Sequence, residues 1–355
     1  MTLSTKVVYL KRLLAARRHY RAGWTGCMTR FAHLSGEARY SPNEIFLLGL
    51  LDPALRARDL ERFVSKERLL AVQRALNPVE SFALTEDKVV FYTHCRRHGL
   101  ATPRVFGVWG QGGVLPDDIE KASTLGEWQS LCRRLPQDEV VLKPVGGVHG
   151  QGVMLLRRAG DVFVDQDGRS FSSESLLLRM KSSDYATWLV QERLYGAPGL
   201  SELSGTANLQ TARVVTFRDR NGSASVLFAW LRVIGGVEAF DNFNFGEAGN
   251  FVATLDTNTA TVRYALTPQR EGFGLEEVEH HPVTGRPFAG FELPHGRAAF
   301  DLAIQAATHF APLRTIGWDV AITPDGVALI EGNVTWDPLP TREDLGAVVG
   351  KLLAD

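Results

Sequence analysis

At 355 residues the chain is long enough for two or three packed units, and 45% hydrophobic with 22% charged residues is the balance of a soluble globular protein. A formal net charge of -1 argues against a basic nucleic-acid binder, and no apolar run approaches the ~20 residues of a membrane-spanning helix. Three scattered cysteines, Cys27, Cys95 and Cys132, argue against a disulfide framework or a structural zinc site and fit thiols kept reduced in a cytoplasm.

The N-terminus is basic but has neither the apolar core nor the small-residue cleavage site of a signal peptide. Val7, Leu10 and Leu14 with Lys11, Arg12, Arg17 and Arg18 predict an amphipathic helix. It either packs on its own protein with a solvated basic face or touches a membrane or acidic partner. Residues 1–80 read as a helical N-terminal region, with "SPNEIFLLGLL" and "ERFVSKERLLAVQRAL" as capped helices. From "LTEDK" the pattern changes. Thr85 is expected to cap a helix running to His98, with Gly99 as its stop. The strand "RVFGVW", the helix "TLGEWQSLCRRL", the strand "EVVLKPV", a glycine loop and the strand "GVMLLRR" follow. Further strands are expected at "TWLVQERL", "TARVVTFRD", "SVLFAWLRVI", "FVATLDT" and "TVRYAL". A helix near "GRAAFDLAIQAATHF", the hairpin "WDVAITPDGVALIEGN" and a last helix in "TREDLGAVVGKLLAD" close the chain, giving an α+β class.

The hairpin carries the clearest chemistry. A three-residue loop, Pro324-Asp325-Gly326, predicts a type I turn plus bulge. In that register opposed residue numbers sum to 650, so Asp319 faces Glu331 and strand period two puts Asn333 beside Glu331. Two carboxylates brought together repel unless a cation or proton intervenes. An oxygen-only set suits a hard cation such as Mg2+, with Mn2+ as the substitute. The competing reading is an ordinary solvated hairpin face.

"KPVGGVHGQGV" sets Lys143 at the mouth of a loop holding Gly146, Gly147, Gly150 and Gly152. Such a loop can turn backbone N–H groups onto phosphate oxygens, with the lysine as a point charge. It can also be a plain hairpin turn. The lysine precedes the glycines and a strand follows them, so neither the P-loop nor the dinucleotide fingerprint applies. His149 in the loop, His280 and His281 in a turn-rich stretch, and Asp241, Asn242 and Asn244 among phenylalanines are weaker candidates for substrate contact.

The order of "EDK" with Lys88, "VLKPVGGVHGQGV", "LVQERL", "WDVAI" and "IEGN" resembles the ATP-grasp superfamily over about residues 85–335. "NLQTARVVT", "DNFNFGEAGNFVATLD" and "HHPVTG" look like its sugar-transfer-associated branch. The resemblance implies a fold whose two α+β halves, residues 81–190 and 191–355, clamp ATP between them. It implies Lys88 and Lys143 on the phosphates under the loop, His149 included. Gln191, Glu192 and Leu194 would form the adenine hinge, with Asn208 close to the nucleotide, and Asp319, Glu331 and Asn333 would hold Mg2+. Many members carry an arginine two residues before the metal aspartate, where this chain has Gly317. Arg213 is the candidate replacement; the alternative is a strand-surface cation. The helical residues 1–80 stand where the usual preceding α/β domain would be.

The implied activity is an ADP-forming carboxylate–amine ligase working through an acyl phosphate, its partners being ATP, a small-molecule carboxylate and an amine. A kinase acting on a small-molecule or glycan hydroxyl is the nearest alternative, and a non-catalytic nucleotide-binding regulatory module the next. Oligomeric state is left open, a homodimer included.

Overall fold

The structure is a computed structural model describing residues 3–110, 119–147, 150–236, 238–243, 248–338 and 341–354. Two seven-stranded sheets organise it. The first contains β1 Val105–Trp109, β2 Glu120–Ala122, β3 Glu139–Pro144, β4 Met154–Ala159, β5 Val162–Val164, β6 Ser170–Ser172 and β7 Trp188–Glu192, in the order β2-β1-β7-β3-β4-β5-β6. The second contains β8 Thr211–Arg218, β9 Ala224–Val233, β10 Phe251–Leu255, β11 Val262–Pro268, β12 Leu275–Glu277, β13 Thr315–Thr323 and β14 Gly326–Asn333, in the order β12-β11-β10-β9-β8-β13-β14. The expected strands appear; β2, β5, β6 and β12, three residues each, are too short to leave a period-two signal and were not anticipated.

Alternation along the strands decides what each sheet face covers. In the first sheet Val140, Leu142 and Leu156 pack under the helices Leu125–Arg134 and Ser173–Lys181 through Trp128, Leu131, Leu176 and Met180. The helix Leu125–Arg134 starts as its sequence predicts, with a Thr124/Glu127 capping box. The opposite face of that sheet, through Val108 and Leu189, joins a larger core with Val89, Phe91, Tyr92 and Cys95 of the helix Lys88–Arg97. Val214, Leu231, Trp318 and Val320 of the second sheet belong to the same core, as do Phe300 and Ala303 of the helix Gly296–His309. The helix Lys88–Arg97 is therefore wedged between the sheets, where its side chains can reach both.

The second sheet's other face is divided. Val215, Phe217, Phe228, Trp230 and Val252 are covered by Leu69 and Val72 of the helix Lys66–Leu76 and by Leu345, Val349 and Leu352 of the helix Leu345–Ala354. On the same face, two-residue steps along β8 and β9 lead to Arg213 and Arg232, and β13 sets Asp319 directly opposite Arg213. The first helices form a separate cluster around Ile45, Phe46 and Leu50 that takes in Phe273 from the β11–β12 connection. Cys27, Cys95 and Cys132 are all buried and free.

Candidate active site

The β13–β14 hairpin brings Asp319 opposite Glu331 and Gly317 opposite Asn333, as the sequence predicts, but by another route. The loop is two residues, Pro324-Asp325, because Thr323 pairs with Gly326. Opposed numbers near the turn therefore sum to 649, and a bulge at Ile330 restores 650 by the time Asp319 is reached. That bulge also re-aims the backbone: Ile330 O lies 2.8 Å from the Tyr92 hydroxyl.

The helix carrying Tyr92 begins two residues later than expected. Its N-cap is Asp87, whose carboxylate accepts from Val89 N at 2.8 Å and Val90 N at 3.0 Å. Thr85 lies in a separate turn, Ala83–Glu86, and its hydroxyl donates back to Phe82 O at 3.2 Å. Asp87 displaces it because one short carboxylate satisfies two orphan N–H groups at once, a cap of about 1 kcal/mol. Lys88 is thereby fixed at the first helical position, and Tyr92, four residues on, shares its face.

Both lysines are buried. Lys88 Nζ donates to Val145 O at 3.3 Å and Gly147 O at 2.6 Å, tying itself to the root of the glycine loop. Lys143 Nζ donates to the Tyr92 hydroxyl at 2.8 Å, which is also 3.1 Å from Gln191 Oε1. Burial lowers the pKa of Lys88, with Glu331 opposing the shift. Burial and the Lys88 charge push Lys143 down to about 7. Tyr92 is thus the central link between helix, β3, β7 and β14, and it was not read from the sequence. Its only signal was the four-residue spacing from Lys88.

On the other side of the hairpin, β8 sets Arg213 opposite Asp319. Arg213 Nε donates to Asp319 Oδ1 and its Nη2 to Oδ2 at 3.2 Å. Gly317 makes this reach possible. A Cβ there would sit 3.2 Å from Arg213 Cδ and 2.8 Å from Trp336 Cβ, so the arginine stem crosses where a side chain would stand. A second guanidinium, Arg232 of β9, was not anticipated: its Nη2 also lies against Asp319 Oδ1. Arg232 Nη1 is 3.4 Å from Asn242 Oδ1 and 3.7 Å from Asp241 Oδ1, and Asp241 Oδ2 accepts from Thr211 N and Oγ1, both at 2.6 Å.

These groups set one another's charge. Burial alone would raise the Asp319 pKa, but Arg213 and Arg232 outweigh it and hold the carboxyl below its usual range. Glu331 is raised, first by burial and then by the Asp319 carboxylate. Asp241 is raised by burial against the pull of Arg232. Four cations (Lys88, Lys143, Arg213, Arg232) therefore line up with three carboxylates (Asp241, Asp319, Glu331) in one buried seam.

As a cation site, Glu331 and Asn333 offer oxygen donors of the kind a hard ion takes, whereas both oxygens of Asp319 are engaged by Arg213 and Arg232 and would have to be shared with the ion. Glu331 is a buried carboxylate held above its normal pKa by its burial and by the neighbouring Asp319 charge, so a cation placed against it would be favoured. Asn333 turns its amide nitrogen to Gly317 O and Glu331 Oε1, both at 3.3 Å, which leaves its carbonyl oxygen as a donor atom. No group of three or more His, Cys, Asp or Glu is placed to hold a metal among the described residues; Asp319 and Glu331 need the Asn333 amide to complete a set.

The remaining expected residues divide. Gly146, Gly147, Gly150 and Gly152 lie between β3 and β4, and Gly150 has φ +72, a conformation open to glycine. His149 and Asn244 lie outside the described residues. Gln191 and Glu192 end β7, with Glu192 N donating to Arg104 O at 2.8 Å. Leu194 is half-buried beyond it, and an isolated bridge sets Asn208 against the adjacent Tyr195. Asn208 Nδ2 donates to Glu238 O at 3.2 Å. His281 serves the fold: fully buried, its Nε2 is 2.8 Å from Ile234 O, and burial lowers its pKa. His280 is exposed.

Residues 68–342 match the model of the sugar-transfer associated ATP-grasp family. Among solved structures, the ATP-grasp ligase PsnB in complex with a minimal precursor is 15% identical, with a TM-score of 0.40 over 79% of this chain and 63% of that one. The D-alanine-D-alanine ligase of Coxiella burnetii is 12% identical, TM-score 0.43, over 80% and 62%. A biotin carboxylase of Campylobacter jejuni is 11% identical, TM-score 0.43, over 83% and 51%. The chain thus spans between half and two thirds of the length of these proteins. Among curated proteins no relative matches.

Proposed function

Because this chain belongs to the sugar-transfer-associated ATP-grasp family, we propose that it is an ATP-dependent, ADP-forming carboxylate–amine ligase. In this reading residues 81–190 and 191–355 are the two halves that clamp ATP. Lys88 and Lys143 meet the phosphates beneath the glycine loop of Gly146, Gly147, Gly150 and Gly152. Gln191, Glu192 and Leu194 border the adenine, with Asn208 near them. Asp319, Glu331 and Asn333 hold Mg2+ or Mn2+, which when bound offsets charge on the phosphoryl oxygens.

The substrate carboxylate oxygen attacks the γ-phosphorus. The bond from that phosphorus to the β-phosphate oxygen breaks, and ADP departs with the electron pair. Lys143, already held in place by Tyr92, and Arg213, lying across Gly317, face the charge that builds on the transferred group. The amine nitrogen then attacks the acyl carbon, inorganic phosphate leaves, and the amine loses its proton to solvent. Closure of the glycine loop keeps water from the acyl phosphate.

One observation carries the choice of ligase over kinase. A hydroxyl acceptor must give up a proton to a base, whereas a carboxylate arrives ionised. Asp319 is gripped by two guanidinium groups, Asp241 by Thr211 and Arg232, and Glu331 belongs to the cation set. The three carboxylates of the seam are thus all engaged, which supports an acceptor that arrives already ionised over one that must hand a proton to a carboxylate.

The test incubates the protein with ATP, MgCl2, hydroxylamine and a panel of carboxylates. A ligase gives ADP together with a hydroxamate, and Lys143→Ala and Glu331→Ala abolish both. ADP appearing with a stable phosphorylated hydroxyl compound and no hydroxamate would replace the ligase by a kinase. Nucleotide binding with no ADP from any acceptor would favour a regulatory module.

A further inference from the structure

We propose that Arg232 is a second anion-binding arginine of this site, aimed by Asp241 and Asn242 at the phosphoryl group in transfer. The proposal rests on the ATP-site reading above and adds a residue to it.

Arg232 is one of the least exposed charges in the protein, its side chain 10% accessible. A buried guanidinium is costly to desolvate and normally ends with its donors satisfied. Here the satisfaction is uneven. Nη1 is directed by Asn242 Oδ1 and Asp241 Oδ1, and Asp241 is itself anchored by the Thr211 backbone and hydroxyl. Nη2 lies against Asp319 Oδ1 as an ion pair but off the line of a hydrogen bond, so its N–H groups have no aligned acceptor among the described residues. Asp319 does not need a second arginine, since Arg213 already binds both of its oxygens.

The glycine loop, read above as the cover of the phosphates, lies against the same spot. A Cβ on Gly150 would fall 2.8 Å from Asn242 Nδ2, so the loop's backbone rests on the side chain that steers Arg232. A loop that covers phosphates and a guanidinium with unaligned N–H groups therefore share one contact, Asn242. An oxyanion with several acceptor oxygens at that place would satisfy Nη2 and keep the forked geometry that lysine cannot reproduce. A planar or tetrahedral phosphoryl group in transfer carries such oxygens, and donors that meet it more fully than they meet bound ADP stabilise the transition state selectively.

The experiment measures binding, so it needs no identified acceptor. ADP with MgCl2 is titrated into the full-length protein by calorimetry, alone and with aluminium fluoride as the phosphoryl mimic. The wild type is expected to bind ADP–aluminium fluoride at least about tenfold more tightly than ADP. Arg232→Lys should keep the ADP affinity within about threefold and lose most of that preference, because a point charge replaces the fork. Asn242→Ala, which leaves no buried charge unpaired, should lose part of it with the melting temperature unchanged. An undiminished preference in both variants overturns the proposal, as does an equal loss of ADP and mimic binding, which would mark Arg232 as structural. A wild type that binds ADP without any preference for the mimic also overturns it, while leaving the ATP-site reading intact. A wild type that binds no ADP removes the ATP-site reading itself.

Discussion

The lysine at the root of the glycine loop makes a prediction that can be worked through in numbers. Lys143 is buried, sits beside Lys88, and titrates at about 7 instead of its ordinary 10.5. A triphosphate placed against it supplies the missing negative charge and returns the pKa toward or above that ordinary value. At pH 8 the empty site then holds about 0.1 proton on Lys143 and the occupied site about 1, so nucleotide binding takes up about 0.9 proton. At pH 7 the uptake is about 0.5, and at pH 6 about 0.1. The assay is ATP titration in buffers of differing ionisation enthalpy, for wild type and Lys143→Met. The difference between the two proteins reports the proton on Lys143 together with any response of Glu331, whose charge acts on this lysine. The sign for stability follows the same shift. Between about 7 and 10.5 the unfolded chain holds more protons on this lysine than the folded one, so its unfavourable contribution is relieved as pH rises through that window. Identical uptake by both proteins at pH 8, or uptake that grows toward pH 6, would refute the reasoning.

Three shorter predictions follow from contacts. Gly317→Ala forces a Cβ to within 2.8 Å of Trp336 Cβ and 3.2 Å of Arg213 Cδ, and should cost about 1–3 kcal/mol in urea unfolding as well as most of the activity; an unchanged midpoint would mean the arginine stem does not cross there. Asp319→Asn leaves two buried guanidinium groups short of a counter-charge and should lower stability by about 3–5 kcal/mol; a loss below 1 kcal/mol would show that Asp241 alone balances both. Gly150→Ala meets both a backbone at φ +72 and Asn242, and should raise KM for ATP by roughly tenfold with little effect on melting; a normal KM would place the closed loop elsewhere.

What could be read from the sequence depended on how local its cause was. Strand alternation and turn residues gave the hairpin, and Asp319 did face Glu331. The agreement came from two offsetting features, a loop one residue shorter than predicted and a bulge at Ile330 that no residue type announces. Position two residues ahead of Asp319 identified Gly317 as the unusual site, but not that Arg213 would fill its space. Arg232 was written plainly as a charge inside the apolar run "FAWLRVI", yet a strand residue's role depends on which neighbours lie beside it. Here those neighbours are β8 on one side and β10 on the other, a long-range fact. Tyr92 was hidden for the same reason. Its helix face was legible, but the two sheets that meet it are built largely from residues downstream. Caps are decided within one turn and still went wrong at Thr85, because Asp87 competed for the same N–H groups at closer range.

The divided face of the second sheet has a consequence for how the protein is made. Its apolar half is roofed by one helix from residues 66–76 and another from residues 345–354, separated by some 270 positions of chain. Trp230, Phe228 and Val215, which adjoin the charged seam, stay wet until the later helix leaves the ribosome and docks. The charged cluster therefore cannot be locked in its dry setting until residues 345–354 have been made, and a nascent chain stalled before residue 345 would present an oily strand surface to chaperones.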